Sequence, residues 1–373
     1  MTIGPVMSAF LDHMNKHNAS DLYLTVGCKP CVRNNNSIIP ISQNSLQAND
    51  INKFISELLN EDKRSEFEST LELNLTVIRE DSSRYRINFF MQQENAGMVV
   101  RRINMKIPTI EELGLPEIYV KSIMKKRGLI ILASPGGSGK TTSMAAMIDY
   151  RNKHGSGHIL TIEDPIEFIH KHDKCILTQR EVGTDTYSYG MALKNALRQR
   201  ADVIAIGEIR DKETLEHALR FSETGHLCVA TIHSNNSYQA ITRMVNLFPD
   251  EARQYILATI SQNLISIFSQ RLVSNLDGGH TLVPEIMLNE GLIKNLIHDN
   301  RLDEIKETME RGNNVGMQTF DQVIYTLYES GKISAEVAIA ESDNPAPLKL
   351  RINQGHGNNI PDMQMNMIDK NVF

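Results

Sequence analysis

A glycine-rich segment at residues 134–141 has the residue types and spacing most directly suited to chemistry. It reads Ser-Pro-Gly-Gly-Ser-Gly-Lys-Thr, follows the apolar run at residues 129–132, and precedes a segment typical of a helix. In such a loop the backbone N–H groups converge on a phosphate, and the dipole of the following helix adds positive potential. We therefore predict that the loop binds ATP, with Lys140 at the β- and γ-oxygens and Thr141 as a ligand of Mg²⁺.

The predicted nucleotide-binding residues belong to this loop and to the start of the helix after it. They are Ser134, Gly136, Gly137, Ser138, Gly139, Lys140, Thr141 and Thr142. Ser134 replaces the first glycine of the pattern G-x-x-x-x-G-K-[ST], which is the one departure from it. The alternative interpretation is a Gly/Ser turn followed by Lys-Thr by chance. The strand-like run before the loop and the helix-like segment after it favour the phosphate site.

Two acidic residues follow apolar runs that we expect to form strands. Glu208 comes just after residues 203–206, and Glu163 comes directly after residues 158–162. In open α/β sheets, ligands bind at the carboxyl ends of the strands. Glu208 is the expected ligand of Mg²⁺, directly or through water, unless it only caps the next helix. Glu163 is the expected general base, because hydrolysis needs a carboxylate that orients the attacking water, and the alternative is an acidic solvated turn.

Two histidines flank the apolar run at residues 227–231, with His226 before it and His233 after it. Side chains in these positions are suited to sensing the γ-phosphate or to passing its loss to a neighbouring subunit. A structural role is the alternative for each. We do not expect a metal site here, because the two histidines are a strand apart and no third ligand accompanies them.

Arginines are frequent on the expected strands of the N-terminal part: Arg84, Arg86, Arg101 and Arg102. An arginine supplied by another domain or subunit completes the nucleotide site of many ATPases. The alternative is a basic face in contact with solvent.

Hydrophobic periodicity divides the chain into two domains and a tail. Residues 1–105 predict an α+β domain with a mostly antiparallel sheet, in which one long helix spans residues 49–67. Residues 106–118 predict a linker. Residues 119–352 alternate strands with helices, which is typical of an α/β domain with a parallel sheet, and become largely helical after about residue 249. Residues 353–373 are polar and aperiodic, which predicts a disordered tail.

Composition and charge argue against several classes of function. The formal net charge of −6 over 373 residues argues against a protein that coats nucleic acid. No apolar run approaches 18 residues, so no transmembrane segment is expected. Cys28 and Cys31 have C-x-x-C spacing, which is compatible with redox chemistry or half a zinc site. No second such pair follows, so we interpret them as two incidental thiols in a loop, and we expect a reducing, cytoplasmic compartment.

Further segments occur in order along the chain. They are Ser20-Asp21-Leu22, the run from Leu160 to Phe168, Gln179-Arg180-Glu181-Val182, Gly207-Glu208-Ile209-Arg210-Asp211, and the run from Thr224 to His233. Together with the phosphate loop they resemble the secretion-type ATPases, and within these the type IV pilus retraction ATPases of the PilT/PilU family. Residues 158–162, 170–172, 216–218 and 226–228 are more similar to PilU. Residues 291–298 lack the charges of the corresponding PilT motif.

The resemblance implies a PAS-like N-terminal domain and a RecA-like ATPase domain. It implies that Lys140 and Thr141 are the Walker A pair, that Glu163 is the general base, and that Glu208 is the Walker B acid. It places His226 and His233 in a histidine box and Arg101 near the nucleotide. The implied assembly is a homohexamer at the cytoplasmic face of the inner membrane, acting on the pilus platform protein. A second pilus ATPase is a further partner that the resemblance implies.

Other functions are compatible with the phosphate loop. A pilus-assembly or type II secretion ATPase is the nearest alternative, but the four-cysteine loop typical of those enzymes is missing from residues 271–280. A DNA motor is a second alternative, and the acidic charge balance argues against it. A third alternative is a regulatory subunit that binds nucleotide and hydrolyses little.

Overall fold

The computed structural model describes residues 3–34, 37–81, 83–103, 106–312 and 315–353. The chain forms two compact units, Met1–Lys106 and Ile107–Phe373. The predicted tail lies, from residue 354 onward, outside the described residues. No helix among the described residues is both long and apolar enough to cross a bilayer.

The N-terminal unit contains a six-stranded antiparallel sheet and three helices. The strands lie in the order β3-β2-β1-β6-β5-β4. Every second side chain of β5 packs into the core. Tyr85, Ile87 and Phe89 are buried, while the residues between them are only half-buried. The bounds are α1 (Pro5–Lys16), β1 (Asp21–Thr25), β2 (Cys31–Asn34), β3 (Ser37–Pro40), α2 (Ala48–Leu58), α3 (Glu61–Thr70), β4 (Glu72–Ile78), β5 (Arg84–Gln92) and β6 (Asn95–Ile103).

The helix predicted over residues 49–67 is wrong as a single element. The chain becomes extended at Leu59, and the Asn60 side chain accepts a hydrogen bond from the backbone N–H of Lys63, which starts a second helix. Asparagine is favoured at a helix N-cap because its side-chain oxygen pairs an otherwise unpaired N–H. The interpretation of Cys31 as a loop residue is also wrong, since it begins β2; Cys28 and Cys31 are both free thiols.

The C-terminal unit is built on a seven-stranded sheet with the order β13-β12-β7-β11-β10-β8-β9. All neighbouring pairs are parallel except β12 with β13. The central strands β7, β10 and β11 are buried along their whole length, as expected for strands covered on both faces. The strands are β7 (Gly128–Ala133), β8 (Gly157–Glu163), β9 (Cys175–Glu181), β10 (Val203–Ile206), β11 (Leu227–Ile232), β12 (Leu264–Ser274) and β13 (His280–Leu288).

Eleven α-helices among the described residues accompany this sheet. They are α4 (Glu117–Ile123), α5 (Lys140–His154), α6 (Tyr189–Ala196), α7 (Lys212–Glu223), α8 (Ser237–Asn246), α9 (Arg253–Asn263), α10 (Leu292–His298), α11 (Ile305–Arg311), α12 (Phe320–Glu329), α13 (Ala335–Glu341) and α14 (Pro345–Asn353). A capping box starts α12, since Thr319 and Gln322 exchange side-chain and backbone hydrogen bonds there.

The prediction that the chain is largely helical after residue 249 is wrong for β12 and β13. These strands form an antiparallel hairpin that extends the sheet beside β7. Strand β12 follows α9 directly, and its first seven residues are all buried. A strand buried on both faces has no alternating pattern, and three of these seven residues are polar: Ser266, Ser269 and Gln270. For these two reasons the sequence pattern did not predict the strand.

Candidate functional site

The carboxyl ends of β7, β8, β10 and β11 meet at one edge of the sheet and enclose a cleft of about 490 Å³. The cleft is within the size range of small-ligand sites. It brings together most of the residues predicted from the sequence: Gly136, Gly137, Gly139, Lys140, Thr141, Thr142, Glu163, Glu208 and His233. Ser138 lines a neighbouring pocket on the other side of the loop.

The phosphate loop has the backbone conformation that its glycines permit. Gly137 and Gly139 have φ of +77° and +85°, a region that residues with a Cβ atom rarely adopt, and Gly139 is the N-cap of α5. Ser134 is fully buried and has no positive φ, so a serine fits where the pattern has glycine. The substitution therefore imposes no backbone strain on the loop.

Lys140 lies under the loop and is largely buried. Its ammonium group donates hydrogen bonds to the carbonyl oxygens of Ser134 at 2.6 Å and Pro135 at 2.9 Å. Burial lowers the pKa of Lys140, while the nearby Glu208 and Glu167 carboxylates oppose that effect. The side chain is thus held inside the loop, at the start of α5.

Glu163 ends β8 and is 7% exposed. Its Oε1 atom accepts hydrogen bonds from the Thr161 hydroxyl at 2.6 Å and from the Gln179 amide at 3.1 Å. Burial raises the pKa of Glu163, and these hydrogen bonds limit the rise because they favour the carboxylate. A buried carboxylate with a raised pKa has the properties of a proton acceptor.

Glu208 contacts two basic side chains, Arg210 and His233, at the ends of neighbouring strands. Its Oε2 is 2.7 Å from Arg210 Nε, and its Oε1 is 3.2 Å from His233 Nε2. Arg210 also reaches Asp164, at 3.4 Å. Burial and the Lys140 charge lower the pKa of His233, and the Glu208 carboxylate acts in the opposite direction. The result is a charged network across the cleft.

Close packing explains why position 207 is a glycine. A Cβ atom at this position would lie 2.8 Å from the Tyr189 hydroxyl and 3.2 Å from the Glu163 Cα. The backbone of β10 therefore passes too close to β8 and α6 for the aspartate that commonly precedes a Walker B glutamate. Any larger residue here would displace Tyr189 or Glu163.

The two other predicted catalytic residues are His226 and Arg101. His226 directly precedes β11, whereas His233 directly follows it, so about 20 Å of strand separates them. The Nδ1 of His226 lies 3.1 Å from the Thr224 hydroxyl. Arg101 lies on β6 of the N-terminal unit, where its Nε is 2.9 Å from the buried Asp21 carboxylate.

Sequence reasoning assigned no role to three side chains that the structure places at or beside the cleft. Arg210 pairs with Glu208, Tyr189 lines the cleft, and Gln179 hydrogen-bonds to Glu163. Arg210 and Gln179 fall within the segments that carry the family resemblance, which was a usable signal. Nothing in the local pattern around Tyr189 indicated its position.

Comparison with known proteins agrees with this geometry. The family model described as "Type II/IV secretion system protein" matches residues 3–312. The chain is 45% identical to the type IV pilus ATPase PilU of Pseudomonas aeruginosa over 343 residues, which cover 92% of this chain and 90% of that protein. It is 38% identical to the pilus retraction ATPase PilT of the same species, over 88% of this chain and 96% of that protein.

A solved structure of the pilus retraction motor PilT with bound ADP has the same fold. The TM-score is 0.85 at 37% identity, covering 91% of this chain and 98% of the other. The predicted fold class, an N-terminal α+β domain followed by a RecA-like ATPase domain, is confirmed. The chain therefore belongs to the type II/IV secretion ATPase family, as a member of its PilT/PilU-like group.

Proposed function

We propose that this ATPase hydrolyses ATP to drive the retraction of type IV pili, in a role closer to that of PilU than of PilT. One observation carries the proposal: a phosphate-loop lysine, a buried carboxylate and a Glu–His–Arg network converge at one cleft in a chain that is 45% identical to PilU. The similarity to pilus ATPases indicates the pilus as the target of the motor, and the residues of the cleft indicate ATP hydrolysis.

The loop and Lys140 bind and orient the phosphates. Backbone N–H groups of the loop and the start of α5 attract the phosphate oxygens, and the Lys140 ammonium lies within the same turn. When nucleotide binds, its oxygens replace the Ser134 and Pro135 carbonyls as partners of Lys140. The lysine charge then stabilises the negative charge that develops on the γ-phosphate.

Glu163 orients the attacking water and accepts its proton. Its burial raises the pKa of the carboxyl, which makes the carboxylate a better proton acceptor than an exposed one. His233 lies beside Glu208 at the same edge, where its ring senses the presence of the γ-phosphate. We assign His226 and Arg101 to contacts made in the assembled ring, since His226 lies at the opposite end of β11 from His233 and Arg101 belongs to the N-terminal unit.

A magnesium ion fits the oxygen ligands near the loop. The Thr141 hydroxyl and the Glu208 carboxylate are hard donors, and Mg²⁺ commonly takes one or two such protein ligands together with phosphate oxygens and water. Both oxygens of Glu208 already have side-chain partners, Arg210 and His233, so contact through a water molecule suits it better than direct ligation. When bound, Mg²⁺ neutralises charge on the β- and γ-phosphates.

We further propose that the chain works as a homohexamer at the cytoplasmic face of the inner membrane. Its partner there is the pilus platform protein, and a second pilus ATPase acts beside it. No nucleic acid is involved. These assignments rest on the names of the relatives and on the family resemblance.

Deletion of the coding sequence tests the direction of the motor. We expect pili to accumulate on the cell surface, because they are assembled but not withdrawn. Cells without pili would instead indicate an assembly ATPase and would overturn the proposal.

The Glu208→Gln variant tests whether the protein is a working ATPase. Turnover should fall by about 10²-fold or more, because the carboxylate charge beside the phosphates is lost. Equal rates for variant and parent would mean that Glu208 is not catalytic or that turnover is negligible, as in a regulatory subunit. Activity that depended on DNA would favour a nucleic-acid motor.

A further inference from the structure

Gln179 on β9 makes three hydrogen bonds, all to the segment that carries Glu163. Its Nε2 donates to Glu163 Oε1 at 3.1 Å and to the carbonyl oxygen of Phe168 at 2.9 Å. Its Oε1 accepts from the backbone N–H of His170 at 2.8 Å. The amide therefore connects the end of β8 to the middle of the loop that follows it, at Phe168 and His170.

These partners determine which way the amide points. A backbone N–H can only donate, so the Gln179 oxygen must face His170. The NH₂ group then necessarily faces Glu163 and Phe168. Each of these residues supplies an acceptor for one of the two amide hydrogens. No rotated arrangement satisfies all three partners, which makes Gln179 a donor to the carboxylate by necessity.

A second residue of β9 holds the same loop. Glu181 is two positions further along the strand, so its side chain points to the same face of the sheet. Its Oε2 accepts a hydrogen bond from the backbone N–H of Ile166 at 3.1 Å. Side chains of β9 thus hold the loop at residues 166, 168 and 170, and Gln179 also holds the Glu163 carboxylate.

We propose that Gln179 is a positioning residue that holds the Glu163 carboxylate in the orientation needed to direct water at the γ-phosphate. The inference rests on the proposed role of Glu163 as the base. With two donors on Oε1, from Thr161 and Gln179, the plane of the carboxylate is defined. With Thr161 alone, the group rotates about a single hydrogen bond, and a small misplacement of a catalytic group is costly.

The test is single-turnover ATP hydrolysis by the full-length Gln179→Leu and Gln179→Met variants. We expect the rate of the chemical step to fall about 10-fold or more, with KM and nucleotide affinity within twofold of the parent. The control is Thr178→Val, the neighbouring residue of β9, which loses a side-chain hydrogen bond to His158 instead. It should keep the parental rate.

A double-mutant cycle with Glu163→Gln distinguishes positioning from a general structural effect. If Gln179 acts through Glu163, the Gln179→Leu change should slow the Glu163→Gln variant no further. Equal slowing in both backgrounds, a normal rate for Gln179→Leu, or a matching loss in Thr178→Val would overturn the inference and leave Glu163 as the base. A parental rate for Glu163→Gln would overturn the base role, and the inference with it.

Discussion

Glu163, the proposed base, makes the fold less stable when its buried carboxyl is ionised. Its carboxyl is almost completely buried, and burial raises its pKa against the effect of the hydrogen bonds from Thr161 and Gln179. In the unfolded chain the same carboxyl ionises freely. Folding therefore becomes less favourable as pH rises through the folded-state pKa, while the stability is fully present below the unfolded-state pKa.

The Glu163→Gln variant should accordingly be slower and more heat-stable. A neutral amide keeps an oxygen for the Thr161 and Gln179 donors and removes the buried charge. We expect Tm to rise by about 2 °C or more at pH 8, and by less at pH 5, where the parent carboxyl is closer to protonated in both states.

Thermal denaturation of parent and variant at the two pH values checks this, with Glu251→Gln, at an exposed glutamate outside the cleft, as the matched control. The control should not shift Tm measurably, since exposed substitutions rarely change stability. An equal Tm shift for Glu163→Gln at both pH values would contradict the assigned direction of the pKa change.

At the scale of elements, β12 attaches the phosphate-loop helix to the sheet through polar contacts. The fully buried Gln270 exchanges hydrogen bonds with the Ser143 hydroxyl of α5, at 2.9 and 3.2 Å, and donates to the Tyr119 hydroxyl of α4 at 3.2 Å. Tyr119 in turn stacks on Phe268 with ring centroids 3.8 Å apart. A satisfied buried network of this kind fixes one arrangement of α4, α5 and β12.

Replacing Gln270 by leucine should destabilise the C-terminal unit by about 1–3 kcal/mol, because the Ser143 and Tyr119 hydroxyls lose a partner in the interior. Urea denaturation measures the change. We expect nucleotide affinity to fall as well, since Ser143 belongs to the first turn of α5.

The double variant Gln270→Leu/Ser143→Ala provides the control. It removes one of the two hydroxyls that Gln270→Leu leaves without their partner. Its loss of unfolding free energy should therefore be smaller than the sum of the losses in the two single variants. Additive costs would mean that the two side chains do not act as one network.

The same elements explain which parts of the sheet were predictable. Strands β7, β8, β10 and β11 are short and bounded by turns, and their predicted positions agree with the structure to within one residue at each end. Strands β12 and β13 were missed because the polar side chains inside β12 find buried partners on α5 and α8. Partners that are distant in sequence cannot be inferred from a local pattern.

At the scale of the whole molecule, the proposed hexamer predicts that activity depends on assembly. The specific ATPase rate should rise with protein concentration and reach a plateau as a species of about six times 42.1 kDa forms. Light scattering and turnover measured across one dilution series check this. A constant specific rate across dilution into monomers would contradict a role for neighbouring copies.

The sequence by itself determined the phosphate loop, the order of the acidic and histidine segments, and the family resemblance. These are local properties of backbone flexibility, side-chain charge and spacing. Only the tertiary structure decided which of those side chains meet. It brings Glu163, Glu208 and His233 to one edge of the sheet and places His226 at the opposite end of β11. It also brings the side chain of Gln179 within hydrogen-bond distance of Glu163, 16 positions earlier in the chain, because β8 and β9 are adjacent parallel strands.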